Sequence, residues 1–350
     1  MKLLIDIGHP AHVHYFRNSI KILIEKGHEI ILTAREKENS LVLLDHYKLK
    51  YTCTGKNLKG MIGKFVSIIR NDFKIFKVAL KHRPDLFVSF SLPFSAHVGF
   101  IMRKPVIGFT DTEHAAINQL ITNPFTDTIF TPLCFKKDFG KKHIRFNGYM
   151  ELCYLHPNYF TPDPSVLDMM GVKKGEKYVI LRFVSWNAEH DMGHSGLNHK
   201  TKLQLLKELS RYTKVFISSE GELSEDLKQY HIKISPEKMH DVLYFATLYI
   251  GEGATMASEC AMLGTPAIYV NSLTAGTLEE QQEYGLIYGF KNSKGVLERA
   301  LELLQIPNLK KEHQNLRKKL LSEKIDVTKF IVWMIENYPE SIYRLKTPAY

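Results

Sequence analysis

Apolar positions along this chain follow two alternating patterns: short, nearly continuous runs, and stripes at helical spacing. Leu3 to Ile7 is a mostly apolar run closed by Gly8, the pattern of a strand buried on both faces of a parallel sheet. Phe16, Ile20, Leu23 and Ile24 recur at helical spacing within Tyr15 to Lys26, and Gly27 follows as a helix stop. Further strands are predicted at Glu29 to Thr33, Leu49 to Thr52, Leu86 to Phe90, Pro105 to Phe109 and Thr128 to Phe130. Helical patterns at Ser40 to His46, Met61 to His82 and Phe94 to Met102 lie among them. The alternation restarts with strands at Tyr178 to Phe183, Lys214 to Ser218, Leu248 to Ile250 and Ala267 to Val270. Helices are predicted there at Leu197 to Leu209, Glu237 to Phe245 and Thr255 to Leu263. Four helical patterns close the chain: Thr277 to Tyr284, Val296 to Leu304, Leu309 to Leu321 and Val327 to Asn337.

Strands alternating with helices imply parallel sheets covered on both faces. Residues 148–164 break the rhythm, with Pro157, Pro162 and Pro164 in a stretch rich in Tyr and Asn. The expected architecture is therefore α/β, with two Rossmann-like parallel-sheet domains at 1–150 and 165–325 and a linker at 151–164. Residues 326–350 are expected to form a C-terminal helix crossing back to the first domain. Open α/β sheets bind ligands at the carboxyl ends of their strands, so two such domains predict a cleft lined by post-strand loops.

Composition narrows the class. With 44% hydrophobic and 24% charged residues, 350 residues suffice for two ordinary cores. The net charge of +10 suggests a nucleotide, a nucleic acid or a membrane surface as partner, or simply a solvated basic surface. Aromatic residues are spread through strands and helices rather than interleaved along a basic groove, so no nucleic acid is expected. Cys53, Cys134, Cys153 and Cys260 have no C-x-x-C spacing, which argues against a zinc site or redox pair. No metal and no cofactor are expected. The first residues meet a charge and a glycine too soon for a signal peptide, and no run of eighteen apolar residues occurs. A cytoplasmic protein is expected, with peripheral association at the inner face of the membrane as a further expectation.

Five post-strand segments carry candidate chemistry. Gly8-His9-Pro10-Ala11-His12-Val13-His14 puts three histidines at a strand end, where one could act as a base or cap the helix. Thr110-Asp111-Thr112-Glu113-His114 offers acids, with helix capping by Asp111 or Thr112 as the alternative. Arg182 could pair with a phosphate, Trp186 in the loop beyond it could stack, and His190 and Asp191 could orient one another, with an ordinary flexible loop as the alternative. Gly251-Glu252-Gly253-Ala254-Thr255 is a glycine-rich turn into a helix, whose free N–H groups could hold a diphosphate. Glu259 shares a helix face with Thr255 and could accept hydrogen bonds from ribose hydroxyls. Asn271 to Gln282 includes Glu280 and Gln281, which could bind sugar hydroxyls, or Thr277 and Glu280 could form a capping box.

On these residues the sequence resembles the family of domain-of-unknown-function 354 proteins. The resemblance is carried by Asp6 to His14, Arg182 to Trp186, Gly251 to Glu259 and Leu278 to Gln281, and it spans nearly the whole chain. That family is similar to the glycosyltransferase-B superfamily. Its relatives include UDP-N-acetylglucosamine 2-epimerases and the lipid-linked N-acetylglucosaminyltransferase of peptidoglycan synthesis. The resemblance implies a nucleotide-sugar donor site in the second domain, with the diphosphate at Gly253, Ala254 and Thr255 and the ribose at Glu259. It implies that His9, His12 and His14 face the acceptor or the sugar. The sequence departs from the epimerases where their Thr-Glu-Arg-Pro-Glu run is replaced by Thr277-Leu278-Glu279-Glu280-Gln281.

The expected function is therefore a metal-independent transfer of a sugar, with a UDP-sugar as donor, to a glycan or lipid-linked acceptor. His9, His12, His14, Asp111 and Glu113 are the candidate catalytic groups. Arg182, Ser185, Trp186, Gly251, Gly253, Ala254, Thr255, Glu259, Glu280 and Gln281 are the candidate donor contacts. The alternatives are a nucleotide-sugar 2-epimerase, a UDP-releasing hydrolase, and a nucleotide-sugar or glycan binding protein without turnover.

Overall fold

The computed structural model describes residues 1–58, 60–183, 197–219 and 223–347. The chain divides into two compact units, Met1–Tyr154 with Ile325–Tyr350, and Leu155–Lys324.

The first unit opens β1 (Lys2–Ile7), α1 (Pro10–Glu25), β2 (Glu29–Arg35), α2 (Ser40–His46), β3 (Thr52–Gly55), α3 (Gly60–His82) and β4 (Leu86–Phe90). It continues α4 (Pro93–Ile101), β5 (Val106–Phe109), α5 (Ala116–Thr122), β6 (Thr128–Pro132), β7 (His143–Phe146) and α6 (Leu152–Leu155). Its seven strands form one parallel sheet in the order β3-β2-β1-β4-β5-β6-β7. The central strands are buried beyond the exposed Lys2: Leu3, Leu4, Ile5 and Ile7 of β1 and Leu86, Phe87 and Val88 of β4 are almost solvent-free. Such strands read as continuous apolar runs because helices cover both faces.

The second unit comprises α7 (Ser165–Met169), β8 (Tyr178–Phe183), α8 (His199–Leu209), β9 (Lys214–Ser219), α9 (Glu225–Lys228), α10 (Met239–Phe245) and β10 (Leu248–Gly251). Then follow α11 (Ala254–Leu263), β11 (Ala267–Val270), α12 (Gly276–Glu283), β12 (Ile287–Phe290), α13 (Val296–Gln305) and α14 (Leu309–Glu323). Its parallel sheet runs β12-β11-β10-β8-β9 over a core that includes Leu181, Ile217, Leu248, Ile250 and Ile268. The chain ends in α15 (Val327–Glu336) and α16 (Glu340–Lys346), which belong to the first unit; there the Thr328 hydroxyl donates to the Cys153 carbonyl at 2.8 Å. Two parallel-sheet α/β units are what the alternation of strands and helices predicts.

Several local expectations are corrected. The third strand lies at Thr52–Gly55, not at Leu49 to Thr52. The first helix begins at Pro10 rather than Tyr15, because Pro10 takes the first helical position, where its missing N–H costs nothing. His12 and His14 therefore belong to the helix and not to a loop. Strands β7 and β12, at the outer edges of their sheets, were not expected at all.

Candidate functional site

Each sheet has one place where the strand order reverses, and a crevice for ligands opens at the carboxyl ends there. In the first sheet the reversal lies between β1 and β4, in the second between β8 and β10. The histidine segment follows β1 and the glycine-rich turn follows β10, so each unit's unusual residues lie beside its own reversal.

In the second unit, β10 pairs with β8 so that Gly251 sits beside Arg182. A side chain at Gly251 would meet the Tyr249 hydroxyl at 2.3 Å and Arg182 Cβ at 2.8 Å, so the packed Tyr249 and Arg182 side chains leave room there only for glycine. Gly253 is the N-cap of α11 and brings no capping side chain; its carbonyl accepts from Ala257 N–H. The helix supplies no carbonyl for the N–H groups of Ala254, Thr255 and Met256, and Ala254 and Thr255 are exposed. The Arg182 guanidinium is half-buried and donates to the Ser218 hydroxyl at 2.7 Å.

Glu259 lies further along α11 and is buried, with Oε1 at 3.0 Å from Nε2 of His240 on α10. Glu252, the residue between the two glycines, is also buried. Its Oε1 accepts from Leu197 N–H at 2.7 Å, and its Oε2 lies 3.4 Å from Lys202 Nζ, so it anchors the start of α8. Neither His240 nor Glu252 was singled out as a site residue from sequence. His240 has no motif around it and meets Glu259 only through the packing of α10 on α11.

The structure places Glu280 and Gln281 in supporting contacts. Glu280 pairs with Lys324 at 2.6 Å, and the fully buried Gln281 donates through Nε2 to the Ser258 hydroxyl at 2.8 Å. The capping box at Thr277 and Glu280 does not form, because Gly276 already begins the helix and Ala275 is its N-cap. Ser185, Trp186, His190 and Asp191 lie outside the described residues.

In the first unit, His9 is the N-cap of α1: its Nδ1 accepts from Ala11 N–H at 3.2 Å. His12 Nδ1 accepts from Gly8 N–H at 3.2 Å, and its ring lies 5.1 Å from Phe90. Burial, with Lys37 and Arg35 nearby, pushes the His9 imidazolium well below its ordinary range. Burial does the same to His12, reinforced by His9, Arg35 and Lys37. A neutral imidazole whose Nδ1 accepts carries its proton on Nε2. His9 and His12 are therefore neutral N–H donors, and 36% of the His9 side chain remains exposed. His14 is buried, its ring stacked on Tyr154 at 5.1 Å.

Beneath this segment, Asp6 is fully buried and accepts from the Thr33 hydroxyl at 2.7 Å; burial raises its carboxyl to about 6, against the pull of Arg35. Arg35 donates to the Gly8 carbonyl at 3.3 Å. Beside β1, the strand β4 is followed directly by Ser91, a non-glycine residue held at φ 48°, the kind of backbone strain that collects at functional sites.

Asp111 and Glu113 follow β5. Burial raises the Asp111 carboxyl to about 6, opposed by the Thr112 hydroxyl, which donates to it at 2.9 Å, and helped by the nearby Glu113. Glu113 accepts from Lys136 N–H at 3.3 Å. Neither Asp111 nor Thr112 caps a helix, since α5 starts only at Ala116 behind Ala115. Among the described residues no group of three or more His, Cys, Asp or Glu is placed to hold a metal ion.

Comparison with known proteins matches this geometry to related folds. An uncharacterized protein of Methanocaldococcus jannaschii is 26% identical over 275 residues, covering 75% of this chain and 80% of its own. The structure of UDP-GlcNAc 2-epimerase from Neisseria meningitidis bound to UDP-GlcNAc superposes with a TM-score of 0.69 at 12% identity, covering 96% of this chain and all of that one. A spinosyn rhamnosyltransferase complexed with spinosyn aglycone superposes with a TM-score of 0.60 at 11% identity, covering 96% and 100%. At such identities the solved structures speak for the fold alone. The family model described as Protein of unknown function (DUF354) matches residues 1–340, and the chain belongs to that family.

Proposed function

We propose that this protein is a nucleotide-sugar enzyme that transfers the sugar of a UDP-type donor to an acceptor hydroxyl of a glycan or lipid-linked molecule. The observation that carries this reading is the start of α11. It is a ten-residue helix without a capping side chain, its first turn exposed at the strand reversal, with Arg182 on the neighbouring strand. Unclaimed N–H groups at a helix start suit a diphosphate, and a guanidinium adds a fork of donors. The same groups would stabilise the charge that builds on the diphosphate as the bond from C1 of the sugar to the phosphate oxygen breaks. Glu259, oriented by His240, is the ribose contact in this reading.

Asp111 is the candidate base. A carboxyl titrating near 6 is ionised at neutral pH and still able to take the acceptor proton. His9 and His12 serve as hydrogen-bond donors, not as bases, since each has committed Nδ1 to a backbone N–H.

A 2-epimerase reading is the alternative, since the same fold is shared with the Neisseria epimerase and with the rhamnosyltransferase. Incubation with UDP-N-acetylglucosamine alone separates the two. No turnover without an acceptor fits transfer; a C2 epimer or free UDP overturns it. A thermal shift with UDP that disappears in Glu259→Ala tests the donor pocket, and no response to any nucleotide would overturn both readings.

A further inference from the structure

Helix α3 packs Ile68, Ile75, Phe76, Val78 and Ala79 toward the first unit's core, yet it carries a second apolar stripe on its outer side. Among its described side chains the fully buried positions, Ser67, Asn71, Ile75 and Ala79, recur every four residues and include two polar ones. Those two have work to do: the Ser67 hydroxyl accepts from Leu58 N–H at 2.8 Å, and Asn71 donates to the Asn57 side chain at 3.2 Å. At 3.6 residues per turn, the opposite side of the helix carries Val66, Ile69, Phe73 and Leu80. All four are exposed, Ile69 and Phe73 to 57% each. Solvent-facing positions of a surface helix are ordinarily polar, so this stripe calls for a second apolar phase.

The charge beside the stripe says which phase. Arg70, Lys74, Lys77 and Lys81 lie along one flank of it, and Lys77 Nζ sits 4.5 Å from the centre of the Phe73 ring. The one acid of α3, Asp72, is engaged by His97 of α4 at 2.9 Å. Residues 56–104 contain ten Lys and Arg against two Asp and no Glu, which accounts for most of the net charge of +10. The apolar exposure continues on the next two helices, each packed on the one before, with Phe100 and Ile101 on α4 and Ile117 and Leu120 on α5. Arg103 and Lys104 follow directly after α4.

We propose that this face of the first unit rests on an anionic lipid bilayer, with α3 lying in the interface. A basic helix with a Phe-containing apolar side has the composition of an interfacial helix, and basic residues beside it draw it to anionic headgroups. No helix among the described residues is long and apolar enough to cross a membrane, so the association is peripheral. A second copy of the chain is a poor occupant, because a two-fold contact would set the same basic flank against itself. The proposal is independent of the reaction catalysed.

The test is sedimentation of the full chain with vesicles of phosphatidylcholine alone, or of phosphatidylcholine mixed with phosphatidylglycerol. Binding to the mixed vesicles is expected to be at least about tenfold tighter and to weaken with salt. Ile69→Ser with Phe73→Ser, and separately Lys77→Glu with Lys81→Glu, should each lower it by about tenfold. All four residues are exposed, so the melting temperature should hold. Equal or absent binding to the two vesicle types, or binding untouched by both variants, overturns the proposal. So does a dimer in sedimentation velocity that the Ile69 and Phe73 substitutions convert to a monomer, which would assign the face to a second copy.

Discussion

Nε2 of His240 and Oε1 of Glu259 meet at 3.0 Å with both side chains buried, joining two helices of the second unit across nineteen residues of sequence. In the proposed donor site His240 fixes the carboxylate that receives the ribose. Glu259→Ala is therefore expected to weaken UDP binding by about 10- to 100-fold, the worth of one or two hydrogen bonds to a charged group. His240→Ala should destabilise the fold by roughly 1–3 kcal/mol by stripping a buried acceptor of its partner, and should weaken UDP binding less than Glu259→Ala. Calorimetric titration with UDP and chemical denaturation of both variants check this. An unchanged UDP affinity in Glu259→Ala would remove the residue from the donor site.

The two roles open to His9 can be separated by one substitution. As N-cap it accepts from Ala11 N–H, and asparagine caps about as well as any residue. As a neutral donor it offers Nε2–H, which the shorter asparagine cannot place at the same point. His9→Asn should therefore leave stability within about 0.5 kcal/mol while lowering kcat/KM by about 10²- to 10³-fold, the usual cost of a lost donor to developing charge. His9→Ala should lose about 1 kcal/mol of stability in addition. Full activity in His9→Asn would leave only the cap.

If Asp111 takes the acceptor proton, its ionisation sets the acid limb of the rate profile. The base must be unprotonated to act, so activity is present above pH 6 and falls away below it. Asp111→Asn should lower kcat/KM by about 10²- to 10⁴-fold and abolish that limb. A limb near 6 that persists in Asp111→Asn would transfer the role to another group, and Asp6, also raised to about 6, would be the first to consider.

The central strands were legible because burial on both faces writes an uninterrupted apolar run into the sequence. Edge strand β9 was legible as well, but the other three edge strands were not. His143-Ile144-Arg145-Phe146 buries only alternate residues, Ile287-Tyr288-Gly289-Phe290 is mostly half-covered, and Thr52-Cys53-Thr54-Gly55 is polar, so the apolar run stood three residues too early. At the site, Gly251, Gly253 and Glu259 announced themselves because a turn and the helix behind it are local in sequence. The partners that fix them are not local: His240 reaches Glu259 across a helix pair, and Arg35 reaches Gly8 across two strands. The histidines were legible as a cluster, but their protonation depends on which ring nitrogen meets a backbone N–H, and only the fold decides that.

Asp6 offers a test of the first unit's core that is independent of any substrate. Its folded carboxyl is raised from 3.8 to about 6, chiefly by burial. As pH rises, the unfolded chain therefore releases this proton first, and between those two values the folded state holds more protons than the unfolded one. Stability falls across that window, so the ionised carboxylate is a net cost above pH 6; a shift of this size corresponds to about 3 kcal/mol. Asp6→Asn removes the charge yet keeps an oxygen for the Thr33 hydroxyl. The variant should match the parent protein at pH 4 and exceed its stability at pH 8 by up to about 3 kcal/mol, as read from urea denaturation at the two pH values. The opposite result, a variant weaker at pH 8, would mean that the attraction between Asp6 and Arg35 outweighs the cost of burying the charge, and that the pair is held in the core as ions.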